Sequence, residues 1–126
     1  MKVGLFVMLG GGVGALSRYG LMLLFTDLSL IATLTANISG SFLLPVLMLR
    51  IPNTWPQELK IALTTGMIGG YTTFSTFSFE VLTFFQHEEW IQGISYGSAT
   101  FLICFVASAA GFAYGSKGRP QQRKHI

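Results

Sequence analysis

Apolar positions run almost unbroken over four stretches of the chain, at about 3–25, 30–49, 59–84 and 90–116, and polar residues gather in the short joins between them. Each stretch holds the roughly 20 apolar residues that a helix needs to cross the hydrocarbon of a bilayer, so four membrane helices are predicted. The joins read as turns. Thr26-Asp27-Leu28-Ser29 offers Asp27 and Ser29 as candidate caps for the second helix. The segment from Ile51 to Glu58 is broken by prolines and carries Trp55 at an interfacial position, and His87-Glu88-Glu89 is a solvated turn in which His87 reads as a surface residue rather than a catalytic one. Residues 117–126 form a basic tail. The four helices consume most of the 126 residues, so one transmembrane domain, 1–126, is expected, and whatever the protein does is built inside the bilayer.

The third stretch departs from the others. Gly66 to Phe79 packs three glycines, five Ser or Thr residues and three phenylalanines into fourteen positions. Paired glycines and side chains that compete for backbone hydrogen bonds favour local unwinding, and unwound backbone at membrane depth is tolerated only where protein or a polar cavity covers it. The third helix is therefore expected to break near 69–73. On the helix that resumes, Phe74 and Phe77 share one face, with Ser75 and Thr76 between them. Thr72, Thr76 and Glu80, four apart, make a polar stripe. The combination has the look of an ion site.

Other polar positions lie inside the apolar stretches. The fourth carries Tyr96, Thr100, Cys104 and Ser108 at spacings of four, a continuous stripe best explained by a lined path. The second carries Thr33, Thr35, Asn37, Ser39 and Ser41, together with Pro45, which is expected to kink the helix. Asn37 has two readings, interhelical glue or a contact to substrate. The first opens with Gly10-Gly11-Gly12-Val13-Gly14-Ala15, which satisfies a dinucleotide-type G-x-G-x-x-A pattern but lacks the strand before it and the acidic residue about 20 positions later. Gly10/Gly14 and Gly11/Ala15 are better read as small pairs that let helices approach. Arg18 interrupts the same stretch, and an arginine in hydrocarbon costs about 2.5–3.5 kcal/mol even on insertion scales. It either snorkels and anchors the helix or stands in an aqueous vestibule that attracts anions.

Composition sharpens this picture. Hydrophobic residues make up 51% of the chain, charged residues 10%, and the mean hydropathy is +0.57, outside the range of an ordinary soluble domain. The net charge of +3 and pI near 9.3 do not imply nucleic acid, because the basic residues concentrate after the last apolar stretch and no aromatic-interleaved basic surface exists. Cys104 is the one cysteine, so it forms no intrachain disulfide. A signal peptide cleaved after Ala15 is disfavoured, since the apolar run continues past Arg18 to Phe25. The polar inventory within the spans is almost wholly neutral. It excludes hydrolytic triads and argues against a proton-coupled carrier, while hydroxyls, one amide and the positive edges of phenylalanine rings suit a small anion. Four helices are too few to enclose a selective pore, so an oligomer is expected.

Gly69-Gly70-Tyr71-Thr72-Thr73-Phe74-Ser75-Thr76-Phe77 matches the G-G-x-T-T-F-S-T-F signature of the CrcB/Fluc fluoride channels, and the stretches from Gly11 to Tyr19 and from Thr33 to Phe42 agree with that family in order and spacing. The chain thus resembles this family over nearly its whole length. The resemblance implies a fluoride-selective channel of the cell membrane that passively exports fluoride. It implies an all-α fold of four helices, the third broken near mid-membrane, and an antiparallel, dual-topology dimer with two pores. It places Asn37, Phe74, Phe77, Ser75, Thr76, Glu80, Tyr96, Thr100 and Cys104 along the fluoride path, favours the vestibule role for Arg18, and assigns a structural sodium ion to the carbonyls of Gly69 and Thr72. Thr100 and Cys104 stand where that family carries serines, and a thiol is the weaker donor.

The alternative is a small multidrug-type transporter, or a structural membrane protein whose polar stripes are packing glue. A carrier of organic cations is expected to hold a carboxylate in its first span, where only Arg18 is ionisable. Orientation adds a tension. Lys2, Arg50, Lys60, Lys117, Arg119, Arg123 and Lys124 all fall on the side of the termini, which favours one orientation with both termini cytoplasmic. An antiparallel homodimer needs both orientations, unless the partner is an inverted relative.

Overall fold

The computed structural model describes residues 2–26 and 28–117, and every element in them is helical. In chain order these are α1 (Lys2–Leu24), α2 (Ser29–Arg50), the short α3 (Gln57–Ile61), a π-helical segment (Ala62–Ile68), α4 (Gly69–Tyr71), α5 (Phe74–Gln86) and α6 (Trp90–Ser116). Three helices, α1, α2 and α6, are long and apolar enough to cross a membrane. The stretch expected as one span at 59–84 is divided. It runs as helix from Gln57 to Tyr71, passes through Thr72 (ψ 154°) and Thr73 (φ −144°, ψ 114°) in extended conformation, and resumes at Phe74.

The start of α2 corrects one expectation. Leu28 occupies the cap position with no side-chain hydrogen bond, Ser29 is already the first helical residue, and Asp27 lies outside the described residues. α2 runs on through Pro45 without ending, and Pro45 packs beside Gly111 of α6. The end of α5 is tied differently. Glu88 takes a left-handed conformation (φ 62°) while its N–H donates to Phe85 O (3.2 Å) and the Glu89 N–H to Phe84 O (2.9 Å). This is the paired closure of a Schellman turn, achieved without the usual glycine.

Very little of the interior is apolar bulk. The buried hydrophobic residues are Ala32, Ala36, Ala62 and Ile68, while large side chains such as Met8, Leu16, Leu24, Ile91 and Phe101 point outward. In a membrane protein such a surface faces lipid, and the helices are held by close backbone approach rather than by expulsion of water. α1 lies on the π-helical segment and α4. A methyl group added at Gly14 would collide with the Met67 carbonyl and the Tyr71 amide, and one at Gly70 with the Gly11 carbonyl. The pairing of α2 with α6 is similar, with Gly111 set against the Phe42 carbonyl.

The π-helical segment was not foreseen. Its wider turn begins where Thr64 donates its hydroxyl back to the Lys60 carbonyl (2.9 Å). Hydroxyl competition for backbone carbonyls loosens a helix, and π turns often mark functional sites.

Candidate ion pathway

The interruption at Thr72–Thr73 is braced by α2. The Asn37 amide Nδ2 donates to the Thr73 carbonyl (3.0 Å) and its Oδ1 accepts the Thr73 N–H (2.8 Å), so one side chain replaces both ladder bonds of an extended residue. Two residues along α2, Ser39 donates to Thr35 O (2.6 Å) and shares a hydrogen bond with the Tyr71 hydroxyl (3.0 Å). Gly40 lacks a Cβ where the Thr72 methyl group sits. Thr73 then starts α5: its Oγ1 accepts the Thr76 N–H (3.1 Å), donates to Thr76 Oγ1 (2.9 Å) and lies 3.2 Å from Ser75 Oγ. Threonine is well suited to this cap position, where an orphan amide needs an acceptor.

The interruption leaves the Gly69 and Thr72 carbonyls, among others, without their helical partners. In an uninterrupted helix the Thr73 N–H would bond Gly69 O and the Thr76 N–H would bond Thr72 O. Here the first amide is taken by Asn37 and the second by the Thr73 hydroxyl.

Beside the interruption lies an open groove of about 600 Å³, into which Asn37, Gly69, Thr72, Phe74, Phe77, Thr100 and Cys104 all face. The rings of Phe74 and Phe77 stand 5.9 Å apart, tilted by 43°, with Phe74 80% exposed. Phe77 in turn contacts Tyr96 (5.7 Å, 42°), and Tyr96 contacts Phe84 (6.0 Å, 53°). Thr100 is buried, and its Oγ1 finds no hydrogen-bond partner among the described residues.

Glu80 is the residue whose setting the sequence reading missed. It sits within α5, 8% exposed, with Thr33 Oγ1 donating to Oε1 (2.7 Å) and Tyr96 OH donating to Oε2 (2.6 Å). Its carboxylate is therefore buried and bonded on both oxygens, and the polar set within the helices is not wholly neutral. A second cavity of about 430 Å³ opens on its far side, lined among others by Ser29, Thr83, His87 and Glu89. Phe77 faces the first cavity and Glu80 the second, and Tyr96, which lines neither, touches both residues. The signal was present in the spacing, since Thr33 and Asn37 are four apart on α2 and share a face.

Other expected site residues are placed as follows. Thr72 precedes α5, so the Thr72–Thr76–Glu80 stripe is not one helix face; only Thr76 and Glu80 share α5. Ser75 is exposed, and it and Thr76 bond to Thr73 rather than lining either cavity. Arg18 is half-buried on α1 and lines neither cavity, and Ser108 lines neither. Arg119, Arg123 and Lys124 lie outside the described residues.

A helical protein with three apolar spans is a multi-pass membrane protein, and this one carries an open groove beside a braced gap in a helical path. The chain belongs to the CrcB-like family, described as CrcB-like protein, Camphor Resistance (CrcB), whose profile matches residues 5–112. It is 40% identical over 117 residues to the fluoride-specific ion channel FluC 2 of Staphylococcus saprophyticus, covering 90% of this chain and 96% of the relative. A fluoride-specific ion channel FluC 1 of Staphylococcus aureus is 38% identical over 114 residues, 84% of this chain and 93% of the relative. The fluoride-specific ion channel FluC of Gloeothece citriformis is 32% identical over 119 residues, 90% and 97% of the two chains.

Proposed function

We propose that this chain is one subunit of a fluoride-specific ion channel, the activity for which its relatives are named, and not an enzyme. The observation that carries the reading is the meeting of Asn37, Phe74, Phe77 and Thr100 around one groove beside the gap at Thr72–Thr73. Ring edges carry the positive part of the phenyl quadrupole, so Phe74 and Phe77 can replace water around a small anion without the grip of a full charge. Weak sites in series let an ion leave as readily as it enters. One Asn37 N–H is engaged with Thr73, which leaves the second for an anion. Tyr96 donates to Glu80, so an anion passing there competes with that carboxylate.

The segment from Gln57 to Gln86 acts in this reading as a fourth membrane crossing, broken at Thr72–Thr73, and two copies pair antiparallel to form two pores. The carbonyls of Gly69 and Thr72, released from the helix ladder, are hard oxygen donors of the kind that unwound transporter helices offer to sodium. Two carbonyls are too few for a cation, and a second copy across a two-fold axis would double the set. A sodium ion held there would be structural, locking the two gaps together. The groove by itself is open along one side, which a partner subunit would close.

Fluoride efflux from sealed vesicles containing only the purified protein tests the central claim, with efflux expected for fluoride and not for chloride. Absence of fluoride efflux in vesicles shown to contain folded protein refutes it. Sodium should be required in the assembled protein yet should not move with fluoride; stoichiometric sodium transport counts against a structural ion. Labelling of a cysteine placed after Lys117, in a Cys104-free background on intact cells, tests the assembly. Partial labelling supports dual insertion, and a wholly cytoplasmic tail in cells where this chain alone conducts excludes the antiparallel homodimer.

A further inference from the structure

We propose that the ends of α2 and α6 form a binding site for an anionic phospholipid, with Arg50 as the main contact to its phosphate and Lys117 as a second cation. The two helices lie close together here. A methyl group added at Gly111 would meet the Phe42 carbonyl, and one at Gly115 the Leu49 side chain. Both helices therefore end on the same side, at Arg50 and Ser116, and because both are apolar spans their ends fall at the depth of lipid headgroups. At that depth Arg50 is exposed yet held in place: its Cζ stands 4.1 Å from the centre of the Tyr114 ring, and its Nη2 donates to the Tyr114 carbonyl (2.9 Å). The ring takes one face of the guanidinium and the carbonyl one N–H, which leaves donors for a further acceptor. Among the described residues that hydrogen bond goes to a carbonyl and not to a carboxylate, so the charge is not neutralised there. A phosphodiester supplies the missing anion, and its paired oxygens suit a planar guanidinium.

Apolar positions continue the site toward the membrane interior. Leu43 lies two helical turns before Arg50 on the same face of α2, and Ile103 lies three turns before Tyr114 on the same face of α6; both are exposed. Lys117 follows Tyr114 by one turn and is exposed as well. A cationic end above an apolar track is the complement of a charged headgroup carrying acyl chains. A soluble phosphate would leave the track unused.

The test counts bound lipid by native mass spectrometry on the full chain, in micelles doped equally with a phosphatidylglycerol and a phosphatidylcholine of identical chains. Wild-type protein is expected to retain phosphatidylglycerol in preference, one per subunit. Lys117→Gln, at an exposed position beyond the end of α6, should lower that preference about fivefold, and Arg50→Gln about tenfold or more. Tyr114→Phe keeps the ring and the carbonyl and should keep the preference. Lys2→Gln, an exposed cation on α1, should leave it unchanged, and glycerophosphoglycerol, the same headgroup without chains, should not displace the lipid at equal concentration. The proposal is overturned by folded wild-type protein with no preference, or by a wild-type preference in either Arg50→Gln or Lys117→Gln. It is overturned too by a loss in Lys2→Gln equal to that in Lys117→Gln, which would mean unspecific charge attraction, or by displacement with glycerophosphoglycerol, which would mean an anion site without a place for chains. Should Arg50→Gln fail to fold, Lys117→Gln and the headgroup competition still decide.

Discussion

The chain from Ala62 to Thr73 is clasped from two sides by opposite means. On the α1 side side chains are absent: Gly14 and Gly70 let backbone lie directly against backbone, and a single added carbon has nowhere to go. On the α2 side side chains do the holding: Asn37 takes both polar groups of Thr73, and Ser39 engages Tyr71. The difference follows from the state of the backbone being gripped. Where it is helical its polar groups are already satisfied, and only dispersion at short range remains to be gained. Where it is extended its amide and carbonyl need partners, because hydrocarbon supplies none. One seam is thus broken by adding atoms and the other by removing them.

Gly14→Ala should have the largest effect. The new methyl group meets backbone atoms of Met67 and Tyr71 rather than flexible side-chain ends, so a loss of about 3 kcal/mol or more, at or beyond the upper end of overpacking costs, is expected. Chemical unfolding in micelles measures it, with Gly12→Ala, which meets nothing, expected to stay within about 0.5 kcal/mol. Equal stability of the two variants would remove the seam from the account.

Asn37→Ala comes next. It strands the amide and carbonyl of Thr73 at about 1–3 kcal/mol each and should abolish fluoride efflux as the gap relaxes. Asn37→Asp keeps an acceptor for the Thr73 N–H and should recover part of the stability without the efflux. If Asn37→Ala unfolds at the wild-type denaturant concentration, Asn37 is not the brace.

Phe77→Ile is expected to separate function from fold, ending efflux while costing about 1 kcal/mol, as shape-changing hydrophobic swaps do. Phe74→Ile, at an exposed ring, should cost still less stability and reduce efflux as well. Wild-type efflux in both variants would dismiss the ring edges as anion ligands.

Glu80→Gln should cost only about 1 kcal/mol of stability, because the amide oxygen still accepts one hydroxyl while the other hydroxyl turns to accept from the amide N–H. Efflux should change with it, since Tyr96 would then be held by a neutral group. A variant whose efflux matches the wild type would place Glu80 in the packing and not in the passage.

Membrane class and the all-helical make-up were legible in the amino-acid sequence, because hydropathy acts within a few residues of where it stands. The ring pair Phe74/Phe77 was legible for the same reason, being three apart on one helix. The small-residue reading of Gly10 to Ala15 pointed to close packing, but not to the carbonyls that lie against it. The π-helical turn at Ala62–Ile68, the division of labour in which Thr73 rather than Thr72 is the braced and capping residue, and the burial of Glu80 rested on partners far away in the chain. Asn37 lies 36 residues before Thr73, and Thr33 lies 47 residues before Glu80. No local periodicity encodes which amide will give up its helical bond to a side chain on another helix. Only the packed helices decide that, because a backbone group in hydrocarbon takes whichever partner the tertiary arrangement brings within reach.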